Sequence, residues 1–266
     1  GSIEFTVELE RVSDRDVTVD YATISGTAIS GADFEPAVGT LTIPAGDTTG
    51  TITVPILEDN LVEPQETFTV ELSNASEAGL QVLSAIGTII DNDVTSFVMG
   101  DVDAAEASGS GAVTVTLTKP SATAVSVGYT VVDVSAVAGR DYTAVGSGTL
   151  TFAPGVTARD IPFSVVNDHV AEGNETFEVR FSVPVGAGMP VDRVVVTILD
   201  DDLVGLTITD ARVAESGVEA LIAVKASNPS ASPVTVGFET LGVTATSDTD
   251  FAATSGTVTF PAYDQS

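Results

Sequence analysis

The sequence predicts an all-β chain of three tandem antiparallel β-sandwiches, and three observations carry that prediction. The first is self-similarity at a fixed period, the signature of a repeat architecture. SGADFEP (30–36) returns as AGRDYTA (138–144) and SDTDFAA (247–253), so the central aspartates lie 141 − 33 = 108 and 250 − 141 = 109 residues apart. GTLTIPAG (39–46) returns as GTLTFAPG (148–155) and GTVTFPAY (256–263). LEDNLVEPQETFTVEL (57–72) returns as VNDHVAEGNETFEVRF (166–181), and IIDNDV (89–94) as ILDDDL (198–203). The second observation is local: most segments between these motifs are short, β-branched and alternate apolar with polar residues, broken by Gly, Pro, Asn and Asp clusters. The third is that no stretch sustains a helical period.

Taken in order, the repeats fall at 1–94, 95–203 and 204–266. Only the middle one is whole. The first has no counterpart of residues 95 to about 110, which hold the leading strand of repeat two, and the third stops after its fourth or fifth strand. In repeat two a leading strand is expected near 97–101, followed by strands at 113–119, 125–131, 148–152, 158–165, 175–183 and 193–199. Each justifies itself by pattern. VTVTLTK and VSVGYTV alternate with period two, GTLTF follows a turn and ends before Pro154-Gly155, ARDIPFSV and ETFEVRFSV flank the acidic loop, and RVVVTIL runs into the aspartate cluster. Seven strands in about 109 residues is the rhythm of an immunoglobulin-like sandwich. Tyr21, Tyr129 and Phe238 share one repeat position, while Phe34, Tyr142 and Phe251 follow the recurrent aspartate; both sets are expected in the cores.

Composition narrows function. With 38 acidic and 9 basic residues the net charge is −29, which opposes binding to nucleic acid or anionic lipid. No Cys means no disulfide framework and no thiolate zinc site. A hydrophobic fraction of 43% allows sizeable cores, yet no apolar run approaches the ~18 residues of a membrane span and no signal peptide opens the chain. The leading Gly1-Ser2 reads as an added remnant, with both natural ends expected beyond this stretch. Enzyme readings find little support. The single His169 sits in an acidic loop as an expected solvent-facing turn residue, no nucleophile elbow is present, and Trp, the usual sugar platform, is absent. The DVDAAEASGSGA stretch (101–112) opens like an EF-hand loop but has Ala112 where the bidentate acid belongs.

The acids recur at turns and strand ends. Repeat two offers Glu106, Asp141, Asn167, Asp168, Glu172, Glu175, Asp200, Asp201 and Asp202; repeat one offers Asp33, Glu58, Asp59, Glu63, Glu66, Asp91, Asn92 and Asp93. If the strands alternate direction, these loops share one tip of each sandwich. Two like charges about 4 Å apart repel by about 4 kcal/mol at an effective dielectric near 20, so such a tip must protonate, splay or take up cations. Oxygen-only donors suit Ca²⁺, which accepts about 6–8 oxygens, and more than one ion per tip is expected. The competing reading, that strand-end Asp and Asn only form turns, holds for single positions; recurrence of the whole set favours metal.

The order GxDY/F, GTLTF-x-PG, D-x-x-x-E-x-x-E-T-F and a closing I-x-D-x-D resembles the Calx-beta domain, a calcium-binding sandwich of sodium–calcium exchanger regulatory loops and of many surface proteins. The resemblance spans all of repeat two, most of repeat one and the first half of repeat three. It implies as ligands Glu106, Asp141, Asp168, Glu172, Glu175, Asp200, Asp201 and Asp202 in repeat two, with the backbone carbonyl of Val170 in addition. In repeat one it implies Asp33, Glu58, Asp59, Glu63, Glu66, Asp91 and Asp93. Repeat three retains only Glu215 and Asp250, and no complete site is expected there. Asn92 and Asn167 stand where the fuller pattern has acids, lowering the charge per site.

No Gly/Ser or Pro-rich linker separates Asp93 from the strand at Phe97, or Asp202 from Leu206. Ion occupancy is therefore expected to couple to the angle between repeats. The functional expectation is a non-enzymatic, calcium-stiffened repeat module of a large secreted or cell-surface, adhesin-like protein. Its expected partners are the neighbouring repeats, other copies or a surface ligand, with no nucleic acid and no membrane insertion. The alternatives are a regulatory calcium sensor attached to a membrane transporter, or a protein- or glycan-binding module.

Overall fold

A computed structural model of the chain describes residues 1–144, 146–217 and 219–264. It is built of strands, with one 3₁₀ turn at Glu106–Ser108 among the described residues. Repeat one contains β1 (Ser2–Glu8), β2 (Val17–Ser25), β3 (Val38–Ile43), β4 (Thr49–Pro55), β5 (Glu66–Ser73) and β6 (Ser84–Ile89). Repeat two contains β7 (Phe97–Val98), β8 (Val102–Ala105), β9 (Gly111–Leu117), β10 (Val125–Asp133), β11 (Tyr142–Ala144), β12 (Gly148–Phe152), β13 (Ala158–Val165), β14 (Glu175–Val185) and β15 (Arg193–Leu199). Repeat three contributes β16 (Leu206–Ile208), β17 (Val224–Ala226), β18 (Val234–Glu239) and β19 (Ser255–Phe260).

Repeat two is a sandwich of a five-stranded sheet, β12-β10-β14-β15-β8, and a four-stranded sheet, β11-β13-β9-β7. The alternation that predicted the strands is what fills the space between them. Val113, Val115 and Leu117 of β9 face Val125, Val127, Phe177, Val179, Val194, Val196 and Ile198 of the other sheet, all buried. Repeat one shows the same plan with β3-β2-β5-β6 packed against β1-β4, around Phe34, Ile52, Val54, Phe68 and Val70. Repeat three pairs β16 with β17 and β18 with β19.

The leading segment departs from the single strand expected near 97–101. It is two strands in different sheets: Phe97–Val98 pairs antiparallel with β9, and Val102–Ala105 pairs parallel with β15. Crossing between sheets lets Phe97 and Ala104 both enter the core while Glu106 is delivered to the tip. The parallel pair is also the exception to an otherwise antiparallel strand order. Phe97 lies beside Phe152 and pairs with Leu117; their counterparts Ile43 and Leu9 line an open gap in repeat one, together with Phe5, Val19, Ile52 and Val70.

The aromatics after the recurrent aspartate behave as expected in the two fuller repeats. Phe34 and Tyr142 are fully buried, stacked on Phe68 and Phe177 with ring centroids 4.4 and 4.0 Å apart. The mid-strand set does something more specific. Tyr21, Tyr129 and Phe238 lie across from Gly39, Gly148 and Gly256, whose missing side chains leave room for the rings. Phe238 departs from the core expectation at 41% exposure. Tyr129 sits on a strand flanked by β12 and β14, whereas Phe238 sits on a strand paired with β19 alone, so its sheet offers less cover.

Candidate metal centre

Three segments bring the acids of repeat one together and four those of repeat two, and the shared segments are tied by matching hydrogen bonds. The loop after β2 or β10 folds back through Asp33 and Asp141, whose Oδ2 atoms accept the Ile29 and Val137 N–H at 2.6 and 2.7 Å. The main-chain carbonyls of these aspartates accept the Leu57 and Val166 N–H, both at 2.9 Å, tying that loop to the one after β4 or β13. In the second loop Asp59 and Asp168 accept the Leu61 and Val170 N–H, both at 2.7 Å. The loop is then held against the end of the last strand. Asp91 Oδ2 accepts the Glu63 N–H at 2.9 Å, and Asp200 Oδ2 accepts the Glu172 and Gly173 N–H at 3.3 and 3.0 Å. In repeat two Glu106 completes the ring by accepting the Asp168 N–H at 2.8 Å.

These bonds are the turn-forming role that strand-end aspartates commonly play, and they use only part of the oxygen set. The remaining oxygens converge. Asp33, Glu63 and Glu66 bring carboxylate oxygens within 4.8 Å of one another, as do Asp141, Glu172 and Glu175, and Glu106, Asp200 and Asp202. In repeat one a single concavity is lined by Asp33, Glu58, Asp59, Glu63, Glu66, Asp91 and Asp93. Its repeat-two equivalent is lined by Glu106, Asp141, Asp168, Glu172, Glu175 and Asp200. Three expected ligands fall outside the latter group, of which Asp202 still joins Glu106 and Asp200 in one triad. Asp201 is exposed and belongs to neither triad, and Val170 is fixed by its N–H on Asp168. Glu58 and Asp59 line the repeat-one concavity from its exposed rim, where Glu58 accepts from Asn92 Nδ2 at 2.8 Å. Asp250 repeats the turn bond, accepting the Thr246 N–H at 2.7 Å, while Glu215 is exposed and joins no triad.

The electrostatics record the crowding. Burial, then the charge of and hydrogen bond to Asp33, push Glu66 up to about 7; burial, then Asp141 and Glu172, push Glu175 up to about 7 as well. Burial likewise raises Glu63, Glu106 and Glu172, with neighbouring carboxylates adding to it. A carboxyl raised from 4.5 to about 7 favours the folded state when protonated, and that contribution is lost as pH rises through 7. The calcium-stripped chain is therefore expected to melt at a lower temperature at pH 8 than at pH 5. Saturating calcium, which takes the deprotonated form, should narrow or reverse the difference. Equal melting temperatures at the two pH values without calcium would refute this.

Three side chains that sequence reasoning passed over shape the tips. Arg140 reaches Asp141 at 2.8 Å, Glu175 at 3.4 Å and Glu172 at 3.5 Å. Lys119 of repeat two pairs with Asp93 of repeat one. Asp133 accepts the buried Tyr142 hydroxyl, bracing the core anchor next to Asp141. The signal for the first two was scarcity, since a chain with 9 basic residues places two of them on its acidic tips.

The donor set fits a divalent ion of the calcium type. It is all oxygen, mostly carboxylate, gathered from loops rather than fixed on one rigid element. Asp202 Oδ2 is a buried carboxylate oxygen with no hydrogen-bond partner, as an oxygen reserved for a cation would be. Fold and site together define a tandem β-sandwich protein with oxygen-lined cation tips. The Calx-beta domain model matches residues 1–93, 89–202 and 199–265, and the chain belongs to this family. Among its relatives, sodium/calcium exchanger 1 of Felis catus is 30% identical over 233 residues, covering 79% of this chain and 24% of the exchanger. Extracellular matrix protein 3 of Lytechinus variegatus is 29% identical over 227 residues, covering 74% of this chain and 7% of that protein. The chain thus spans about a quarter or less of the length of these relatives. Among solved structures, the CBD12 of CALX1.2 shares 21% identity over 74% of this chain and 93% of its own, with a TM-score of 0.38. The apo-form Calx CBD1 domain shares 33% identity over 41% of this chain and 100% of its own, also with a TM-score of 0.38.

Proposed function

We propose that this chain is a calcium-binding module whose tips stiffen the joints between its repeats, within a large secreted or cell-surface protein. The observation that carries this reading is a backbone clasp repeated at both junctions. Val62, in the loop between Asp59 and Glu63, accepts the Ala122 N–H at 2.8 Å and donates its own N–H to the Pro120 carbonyl at 3.0 Å. One period later, Ala171 makes the same pair with Ala231 and Pro229, both at 3.0 Å. The loop that supplies the acids of one repeat is therefore hydrogen-bonded to the Pro-Ser-Ala turn of the next.

The residues that would hold Ca²⁺ are Asp33, Glu58, Asp59, Glu63, Glu66, Asp91 and Asp93 in repeat one. In repeat two they are Glu106, Asp141, Asp168, Glu172, Glu175, Asp200 and Asp202, with Asp201 and the Val170 carbonyl as outer candidates. When bound, Ca²⁺ supplies positive charge that cancels carboxylate repulsion. Glu63 and Glu172 then hold the clasp loop against the strand end, and Val62 and Ala171 keep their hydrogen bonds to the next repeat. Without the ion, repulsion among the same carboxylates spreads the loop, and the clasp loosens with it. Nothing in this cycle requires a catalytic group.

Small-angle scattering of the whole chain tests the reading. The maximum dimension and its spread are expected to change between calcium and chelator, with the calcium form the more extended and uniform. A profile insensitive to chelator would overturn it. The sensor reading, a regulatory module of a membrane transporter, is favoured by the exchanger relatives. Affinity separates the two: dissociation constants of about 10⁻⁴–10⁻³ M fit an extracellular spacer and about 10⁻⁷–10⁻⁵ M fit a sensor.

A further inference from the structure

We propose that Arg140 and Lys119 are tethered counter-cations that select which half of each acidic tip is left for a divalent ion. By this assignment the ion of repeat one is held mainly by Asp33, Glu63 and Glu66, and that of repeat two by Glu106, Asp200 and Asp202. The inference rests on the calcium reading above and sharpens it, because it makes the two tips unequal.

The sequence positions set up the asymmetry. Arg140 stands directly before the recurrent aspartate; repeat one has Ala32 there and repeat three has Thr249. The guanidinium of Arg140 lies within 3.5 Å of oxygens from Asp141, Glu172 and Glu175, all three members of one triad. It is half-exposed, so it reaches in from the rim rather than being part of the core. A divalent ion needs those oxygens at about 2.3–2.6 Å, closer than a guanidinium fork leaves them, so ion and side chain compete for the same electrons. In repeat one, Ala32 leaves the matching triad without a basic partner among the described residues. The concavities of the two tips are also unequal, about 120 Å³ in repeat one and about 10 Å³ in repeat two, where Glu106 and Asp200 share the lining with Asp141, Glu172 and Glu175.

The other half of each tip shows the reverse. Lys119 Nζ sits on Asp93 at the junction of repeats one and two. The counterpart of Lys119 at the next junction is Asn228, whose Nδ2 donates to the Leu203 carbonyl at 3.1 Å. No Lys or Arg among the described residues pairs with Glu106, Asp200 or Asp202. The nearest basic group is His169, whose Nδ1 is 3.9 Å from Asp202 Oδ1 on a side chain 87% exposed. The other Asp202 oxygen is the buried, unpartnered one. A built-in cation thus covers the Asp141 half of repeat two and the Asp93 half of repeat one. In each tip the opposite half has no lysine or arginine partner among the described residues.

The consequence is directional. In repeat two the ion-holding half includes Asp202, which is separated from β16 by three residues, so calcium there would bear on the joint to repeat three. At the joint between repeats one and two, Lys119 already supplies a bond that needs no ion.

The test is a double-substitution cycle on the full chain, with calcium binding followed by calorimetry and bound calcium counted by equilibrium dialysis. Arg140→Gln removes the charge while keeping a polar side chain of similar reach, and Arg140→Ala removes both. Either is expected to add about one bound calcium per chain, or to tighten the weakest class of site about tenfold. Glu175→Gln should weaken calcium binding about tenfold more in the Arg140→Gln background than in the parent. Asp202→Asn should weaken repeat-two binding in the parent itself. The inference is overturned if Arg140→Gln binds the same number of ions with the same affinity, or if Glu175→Gln weakens both backgrounds equally. A parent chain that binds no calcium would instead overturn the calcium reading. Melting curves of each variant in chelator separate a folding defect from an effect on the ion, and Arg140→Lys, which restores the charge, should return the parent count.

Discussion

Replacing Phe177 with alanine is expected to destabilise repeat two by about 3–5 kcal/mol, the usual cost of emptying a buried aromatic site. Phe177 is fully buried on β14, stacked on Tyr142 at 4.0 Å and edge-on to Phe163 at 5.3 Å. Its ring partners lie on β11 and β13 of the opposite sheet, so the cavity would open between the two sheets and could not collapse by moving one strand. The chemistry of the tip depends on the same contact. Tyr142 directly follows Asp141, and Glu175 begins the strand that carries Phe177, so two members of one acidic triad are positioned by this ring pair. Thermal melting should show one transition of the array lowered by more than about 12 °C, while the others stay in place. Calcium titration should lose the repeat-two component and keep that of repeat one. Phe177→Leu, which retains most of the volume, should cost far less. Unchanged melting in the alanine variant would show that this ring pair does not organise the repeat.

The second large effect separates two adjacent aspartates. Asp200→Ala is expected to lower stability in calcium by about 2–4 kcal/mol, while Asp201→Ala stays within about 0.5 kcal/mol of the parent. Asp200 accepts the N–H groups of Glu172 and Gly173 through one oxygen and that of Asp202 through the other. Hydrogen bonds to a charged acceptor contribute about 1.5–3 kcal/mol each. Relief of repulsion with Glu106 and Asp202 offsets part of the loss. The calcium-linked term, about 2.7 kcal/mol at a hundredfold excess over the dissociation constant, would go with the ligand. Asp201 is exposed and takes part in none of these bonds. Chemical denaturation of both variants with and without calcium measures the difference, and equal losses at the two positions would refute it.

The periodicity of about 109 residues determines most of the fold. A repeat that returns the same turn residues and the same alternation must bury the same faces, so the strands at 148–152, 158–165 and 193–199 are found where pattern puts them. The leading segment was less legible. Residues 97–105 alternate weakly and carry Gly100 and Asp101 in the middle, and only the two-sheet environment decides that the chain crosses there from β9 to β15. The acidic tips were visible as a set, because recurrence marks Asp33 with Asp141 and Glu63 with Glu172. How the set divides was not, since adjacent residues in a DDD run differ only in which way the backbone turns them.

Sequence by itself therefore determined the repeat, the sandwich and the oxygen-only character of the tips, all of which follow from one-dimensional period and residue chemistry. Tertiary structure alone decided that Arg140 and Lys119 reach the carboxylates, that Asp201 stands apart, and that the Val62 and Ala171 loops clasp the next repeat. Apart from the adjacent Arg140–Asp141 pair, these ion pairs and interdomain hydrogen bonds join residues 26 to 60 positions apart whose meeting depends on loop geometry, and no period in the chain encodes that geometry.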